Sequence, residues 1–175
     1  MIYHPFPPLY DKNSKILVLG SFPSVKSREQ QFFYGHPQNR FWKVTAAVFG
    51  CAVPATIEEK KQFLYSNGIA LWDVIASCEI EGSSDSSIKN VTANDLSPII
   101  KAANIKQIFV NGKTAEKYYN LYTKNKLGMD AVCLPSTSPA NAAWNLEKLV
   151  SAWSIINQSP QNNYKIISES HQKRL

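Results

Sequence analysis

The sequence predicts an α/β protein: a three-layer α/β/α sandwich around a short, mainly four-stranded parallel sheet. Three observations predict it. Four short apolar runs are spaced along the chain, and most end at Gly, Pro or Asp. Such runs suit strands buried on both faces of a parallel sheet. Segments of helical periodicity lie between them, and strand–helix alternation calls for parallel pairing with both faces covered. Finally, 175 residues, 44% of them hydrophobic, suffice for one domain with a sizeable core.

The first strand is "KILVLG" (15–20), and a long loop follows it. "NRFWKVTAAVFG" then places Phe41, Val44, Val48 and Phe49 on one broad helical face, with Gly50 as its stop. "TIEEKKQFLYSNG" opens with Thr56 as N-cap and Glu59 three residues on, a capping box, and ends at Asn67-Gly68. The second strand is "IALWDVI" (69–75), followed by the polar loop "GSSDSSIKN" (82–90). A helix in "NDLSPIIKAAN" leads to the third strand, "QIFVNG" (107–112), and one in "TAEKYYNLYTKN" to the fourth, "DAVCLP" (130–135). The last helix, "NAAWNLEKLVSAWSIIN", carries Trp144, Leu146, Leu149, Val150, Trp153 and Ile156 at roughly helical spacing. The expected domain covers 1–157. Residues 158–175 read as a polar tail in which "YKII" offers an edge strand.

Nineteen Lys and Arg against thirteen Asp and Glu give a formal charge of +6. A basic chain attracts polyanions, nucleic acid first and acidic membrane surface second, although charge alone fits a merely soluble protein as well. No run of about 18 apolar residues is present to span a membrane. The start, "MIYHPFPPLY", lacks the basic and apolar regions of a signal peptide, so the expected location is cytoplasmic. Cys51, Cys78 and Cys133 are far apart, form no CxxC pair and read as small buried hydrophobes. The three His show no metal-ligand spacing, so no metal and no cofactor are expected.

In open α/β sheets ligands bind beyond the carboxyl ends of the strands, which directs attention to three loops. In the first, Gly20 permits close backbone approach and Pro23 fixes a turn. Ser21, Ser24, Ser27, Lys26 and Arg28 form a candidate phosphate strip. Phe32, Phe33 and Tyr34 offer rings for base stacking, with two of the three expected in the core. Asn39 is either a helix cap or an amide whose carbonyl orients a water towards an electrophilic carbon. His36 is either an acid or a structural hydrogen-bonding group. Asn111, ending the third strand, belongs either to the site or to a tight Asn-Gly turn. "PSTSPAN" (135–141) offers Ser136, Thr137 and Ser138 to a phosphate, or is an ordinary turn. Asp73, at the carboxyl end of the second strand, either takes part or caps a loop.

"VLGSFPS", then "FYGHPQNRFWKV", then "LPSTSPAN" at the fourth strand together resemble the uracil-DNA glycosylase superfamily, most closely its hypoxanthine (deoxyinosine) branch. "HPQNRFWKV" is also similar to the mismatch-specific uracil/thymine glycosylases. The resemblance runs from about residue 13 to 157. It implies an enzyme of base excision repair that turns a deaminated base out of DNA and hydrolyses its N-glycosidic bond. The product is an abasic site, and neither metal nor Schiff base is used. Asn39 matches the catalytic Asn of the hypoxanthine branch, whereas Phe22 stands where mismatch-specific relatives have a water-positioning Asn. Tyr34 matches the ring that stacks on the base. Gly20, Ser21, Phe22, His36 and Asn111 are expected around it. Ser24, Lys26, Ser27, Arg28, Ser136, Thr137, Ser138 and Asn141 are expected to face DNA, with Ala140 nearest the relatives' bulky wedge. The expected partner is DNA containing deaminated bases, met by a monomer without membrane attachment. Uracil is the second substrate choice. A non-cutting damage-binding module and a nucleotide- or flavin-binding protein are readings from other classes, the latter lacking the phosphate-cradling Gly pattern.

Overall fold

A computed structural model describes residues 1–158. The expected tail beyond Gln158, with its "YKII" strand, lies outside the described residues. The four apolar runs form one parallel sheet. Its strands are β2 (Ile16–Gly20), β3 (Ile69–Asp73), β6 (Gln107–Asn111) and β7 (Ala131–Leu134), in the spatial order β3-β2-β6-β7. Leu17, Val18 and Leu19 are wholly buried, as a strand covered on both faces requires. Register sets Gly20 beside Asp73 and Asn111 beside Leu134, so the carboxyl ends of all four strands are nearly level.

A second, antiparallel sheet was not expected. It consists of β1 (Ile2–Tyr3), β4 (Ile75–Glu79) and β5 (Lys89–Ala93), in the order β1-β4-β5. The expected strand 69–75 therefore stops at Asp73. At Val74 the chain changes sheets: its N–H bonds to Gly20 O, and its carbonyl accepts from Asn94 N. Asn94 secures the break by donating its side-chain amide to Asp73 O and Ile75 O.

The helices flank the parallel sheet. They are α1 (Val25–Gln30), α2 (Phe41–Phe49), α3 (Ile57–Ser66), α4 (Ser97–Ala102), α5 (Lys113–Tyr122), α6 (Lys124–Leu127) and α7 (Leu146–Trp153). In α2, Phe41 and Val44 are fully buried, and Gly50 ends the helix at φ 65°. At α3, Thr56 accepts from Glu59 N, while the Glu59 carboxylate reaches back to Ala55 N, one residue beyond the usual capping-box partner. The last helix is shorter than periodicity predicted. Asn145 caps it by accepting from Lys148 N, so Trp144 lies before the helix and Leu146 is exposed. Leu149 and Trp153 carry the buried stripe, with Ile156 in the 3₁₀ turn that follows, and this face packs on α2. The cysteines differ from expectation as well: Cys78 is buried, Cys133 half-buried and Cys51 exposed, because Cys51 lies in the loop beyond the Gly50 stop. Among the described residues, no helix is long and apolar enough to cross a membrane.

Candidate active site

From β2 the chain moves to β3 on one side, then crosses to β6 on the other. Loops leaving β2 and β6 therefore diverge, and a crevice opens where they part. A cavity of about 490 Å³ occupies it, within the roughly 300–1,000 Å³ of small-molecule sites. Gly20, Ser21, Phe22, Tyr34, His36, Asn39 and Asn111 all line it, as do Ser136 and Ser138. Residues from all three loops thus converge.

A relay of hydrogen bonds crosses the far wall. Asn111 Nδ2 donates to Thr137 Oγ1 at 3.0 Å, and Thr137 Oγ1 donates to Asn39 Oδ1 at 2.9 Å. Thr137 N donates to Asn111 Oδ1, which orients that amide. Asn39 Oδ1 also accepts from Phe41 N at 2.9 Å. Both lone pairs of the Asn39 carbonyl are therefore occupied. Of the two expectations for this carbonyl, capping and orienting a water, the structure shows it capping and accepting from Thr137, and the Nδ2 amide is the end without a protein partner among the described residues. Capping and site membership, posed as alternatives, coexist. Arg40 holds the N-cap position without a side-chain cap bond, and Asn39 supplies the missing acceptor from one residue earlier.

Tyr34 sits at φ 49°, a left-handed conformation uncommon for an aromatic residue. Its ring stacks on Phe41 with centroids 4.1 Å apart, so a base can lie only on the other face. Burial, reinforced by Asp73, raises its phenol well above the ordinary tyrosine range. Phe32 and Phe33 are buried, as expected of two of the three rings. His36 Nδ1 accepts from Gln38 N, which leaves Nε2 as the ring's other polar atom.

The near wall holds groups that sequence spacing did not bring together. Asp73 lines the cavity, and its Oδ2 lies 2.6 Å from His4 Nε2. A Cβ at position 20 would come within 2.4 Å of Asp73 Oδ1, so only glycine leaves room for this carboxylate. The loop after β4 also reaches the cavity, through Ser83, Ser84, Asp85 and Ser86. Ser21 Oγ donates weakly to Asp85, at 3.4 Å.

The expected DNA-facing residues divide. Ser27 is buried, with Oγ accepting from Gly35 N, and Thr137 is fully buried in the relay; both hydroxyls are engaged within the protein. Their hydroxyls satisfy buried backbone and amide groups instead. Ser24 caps α1. Arg28 is half-buried, donates to Gly82 O and lies 5.7 Å over the Phe22 ring, so it ties the 82–86 loop to the strip. Lys26 is exposed and pairs with Glu29. Asn141 braces its own loop by donating to Ser136 O. Ala140 is exposed at the cavity rim. Arg40, not singled out in the sequence, clamps the 138–144 loop by donating to the carbonyls of Ser138, Asn141 and Trp144.

With this geometry in place, comparison with known proteins is decisive. Residues 7–157 match the family model of the uracil DNA glycosylase superfamily. The chain belongs to this superfamily. A protein named hypoxanthine DNA glycosylase from Methanosarcina acetivorans is 38% identical over 143 residues, 81% of this chain and 89% of the relative. One of the same name from Methanosarcina barkeri is 34% identical over 151 residues, 85% and 93% of the two chains. The fold is similar to a solution NMR structure from M. acetivorans, provisionally named a uracil DNA glycosylase. The TM-score is 0.75 at 32% identity, covering 90% of this chain and all of that one. The superfamily match begins at residue 7, after His4.

Proposed function

We propose that this superfamily member is a monofunctional DNA glycosylase of base excision repair. It hydrolyses the N-glycosidic bond of a deaminated base turned out of DNA, hypoxanthine first, and leaves an abasic site. One observation carries the reading: at the switch point of the sheet, a cavity brings together a stacking ring, Tyr34, and a fixed amide, Asn39, whose N–H end has no protein partner among the described residues. The two relatives named for hypoxanthine support the choice of base.

The residues divide the work. Extrusion costs a few kcal/mol and is least costly where pairing is already weak. Tyr34, backed by Phe41, then holds the ring. Bond cleavage places positive character on the sugar and negative charge on the departing base, and donors aimed at that charge in a dry pocket are the strongest lever. Asn39 Nδ2 donates to the oxygen of the attacking water and leaves a lone pair free for the sugar carbon. No strong general base is required when departure runs ahead of attack. Ser136, Ser138 and Lys26 remain as DNA contacts. The protein acts on DNA as a monomer, without metal or organic cofactor.

Duplexes carrying inosine, uracil, xanthine or a thymine mismatch, incubated with the protein and treated with alkali, test the proposal. Strand cleavage is expected at inosine first, and Asn39→Ala should abolish most of it. Binding without abasic product on every lesion would instead identify a non-cutting recognition module.

A further inference from the structure

The proposed mechanism leaves one buried pair unused. His4 and Asp73 have side chains only 3% and 6% exposed, 69 residues apart in the chain. His4 is placed by β1: its N–H bonds to Ala76 O on β4, and its ring lies among Trp72, Phe6 and Phe22, with centroids 4.3, 4.6 and 6.0 Å away. Nδ1 is buried without a partner among the described residues. An orphaned N–H is rarer than an orphaned acceptor, so the proton belongs on Nε2, which donates to Asp73 Oδ2. Asp73 Oδ1 is then the oxygen left for the cavity, seated over the space that Gly20 keeps open.

The position suits recognition of the base rather than attack on the sugar. Asp73 ends β3, at the opposite edge of the sheet from β7, whose loop carries the partner of Asn39. Those strands are about 14 Å apart, three sheet spacings of roughly 4.8 Å. A carboxylate oxygen accepts only. Deamination turns the ring nitrogen N1 of adenine, an acceptor, into the N1–H donor of hypoxanthine, and likewise N3 of cytosine into the N3–H of uracil. We infer that His4 is a positioning residue. By holding Oδ2 it aims Oδ1 of Asp73 at the ring N–H that deamination creates. The inference rests on the reading of the cavity as a base pocket, and His4 lies outside the residues the superfamily match covers.

Single-turnover excision of inosine and of N1-methylinosine, which lacks that N–H, tests it. The natural chain should prefer inosine. His4→Leu should shrink the preference by about tenfold or more, since a site built to bond an N–H discriminates strongly against its loss. His4→Gln, whose amide N–H can replace Nε2–H, should restore it. A folded His4→Leu protein with the natural preference would overturn the inference, as would a natural chain indifferent to the methyl group. If His4→Leu does not fold, His4→Asn, too short to reach Oδ2, serves beside His4→Gln; equal preference in both would overturn it. Failure of the natural chain to excise inosine at all would overturn the base-pocket reading, and this inference with it.

Discussion

Asn39 divides its amide between two tasks, and substitution can separate them. Asn39→Asp keeps an oxygen for Phe41 N and Thr137 Oγ1 but removes the N–H donors. It should stay folded and lose about 100-fold in excision rate, the order of one missing transition-state donor. A folded Asn39→Asp protein at full rate would return Asn39 to a purely structural role. Thr137→Val keeps the shape but strands Asn111 Nδ2 and removes one of the two donors to Asn39 Oδ1. A loss of about 1–3 kcal/mol in denaturant unfolding is expected, with Thr137→Ser close to the natural protein. Alkali reads a third residue. Burial raises the Tyr34 phenol above its unfolded value of about 10, and pushes Tyr119, which donates to Met129 O, up to about 12. The folded state thus holds these protons longer than the unfolded one. Their contribution is intact below about pH 10 and declines as pH rises beyond it. Between pH 9 and 11 the urea midpoint of Tyr34→Phe should fall less than that of the natural protein.

Among the elements, the 135–145 loop depends most on a remote side chain. Arg40 precedes α2 yet binds three carbonyls of that loop. Arg40→Ala should leave the sheet intact while amide hydrogen exchange speeds up across 137–145, and Arg40→Lys, without a planar fork, should restore only part of the protection. The four parallel strands were legible because each carries a short apolar run, written by burial on both faces in β2 and β3 and kept even in the half-buried edge strand β7. Most helices were legible from periodicity and from stops such as Gly50, but α1 was not, because the stretch expected to be a loop hides six helical residues behind the Ser24 cap. Sheet β1-β4-β5 was not. Its strands are short and partly exposed, β5 contains Asn90 at φ 53°, and the two-residue β1 joins from the far end of the sequence. The same limit applied to the site. Three of the loops that surround it could be named from topology, whereas the 83–86 loop was missed, and the His4–Asp73 pair and the Arg40 clamp span 69 and about a hundred positions and leave no local pattern. Composition marked 135–141 as rich in hydroxyls but could not say that Thr137 turns inward.

For the molecule as a whole, a net charge of +6 is the property a polyanion meets first. Binding to an inosine duplex should weaken steeply with salt, the logarithm of affinity falling by about 0.9 per phosphate neutralised for each decade of ionic strength. A flat response in a filter-binding titration would count against phosphate contacts by the basic strip. His4 directly follows the two-residue β1, so the Asp73 wall of the cavity is tethered to that short strand. Removing residues 1–4 would spare every side chain contributed by the main sheet, yet is expected to yield an enzyme that still swallows nucleobases while having lost its sense of taste.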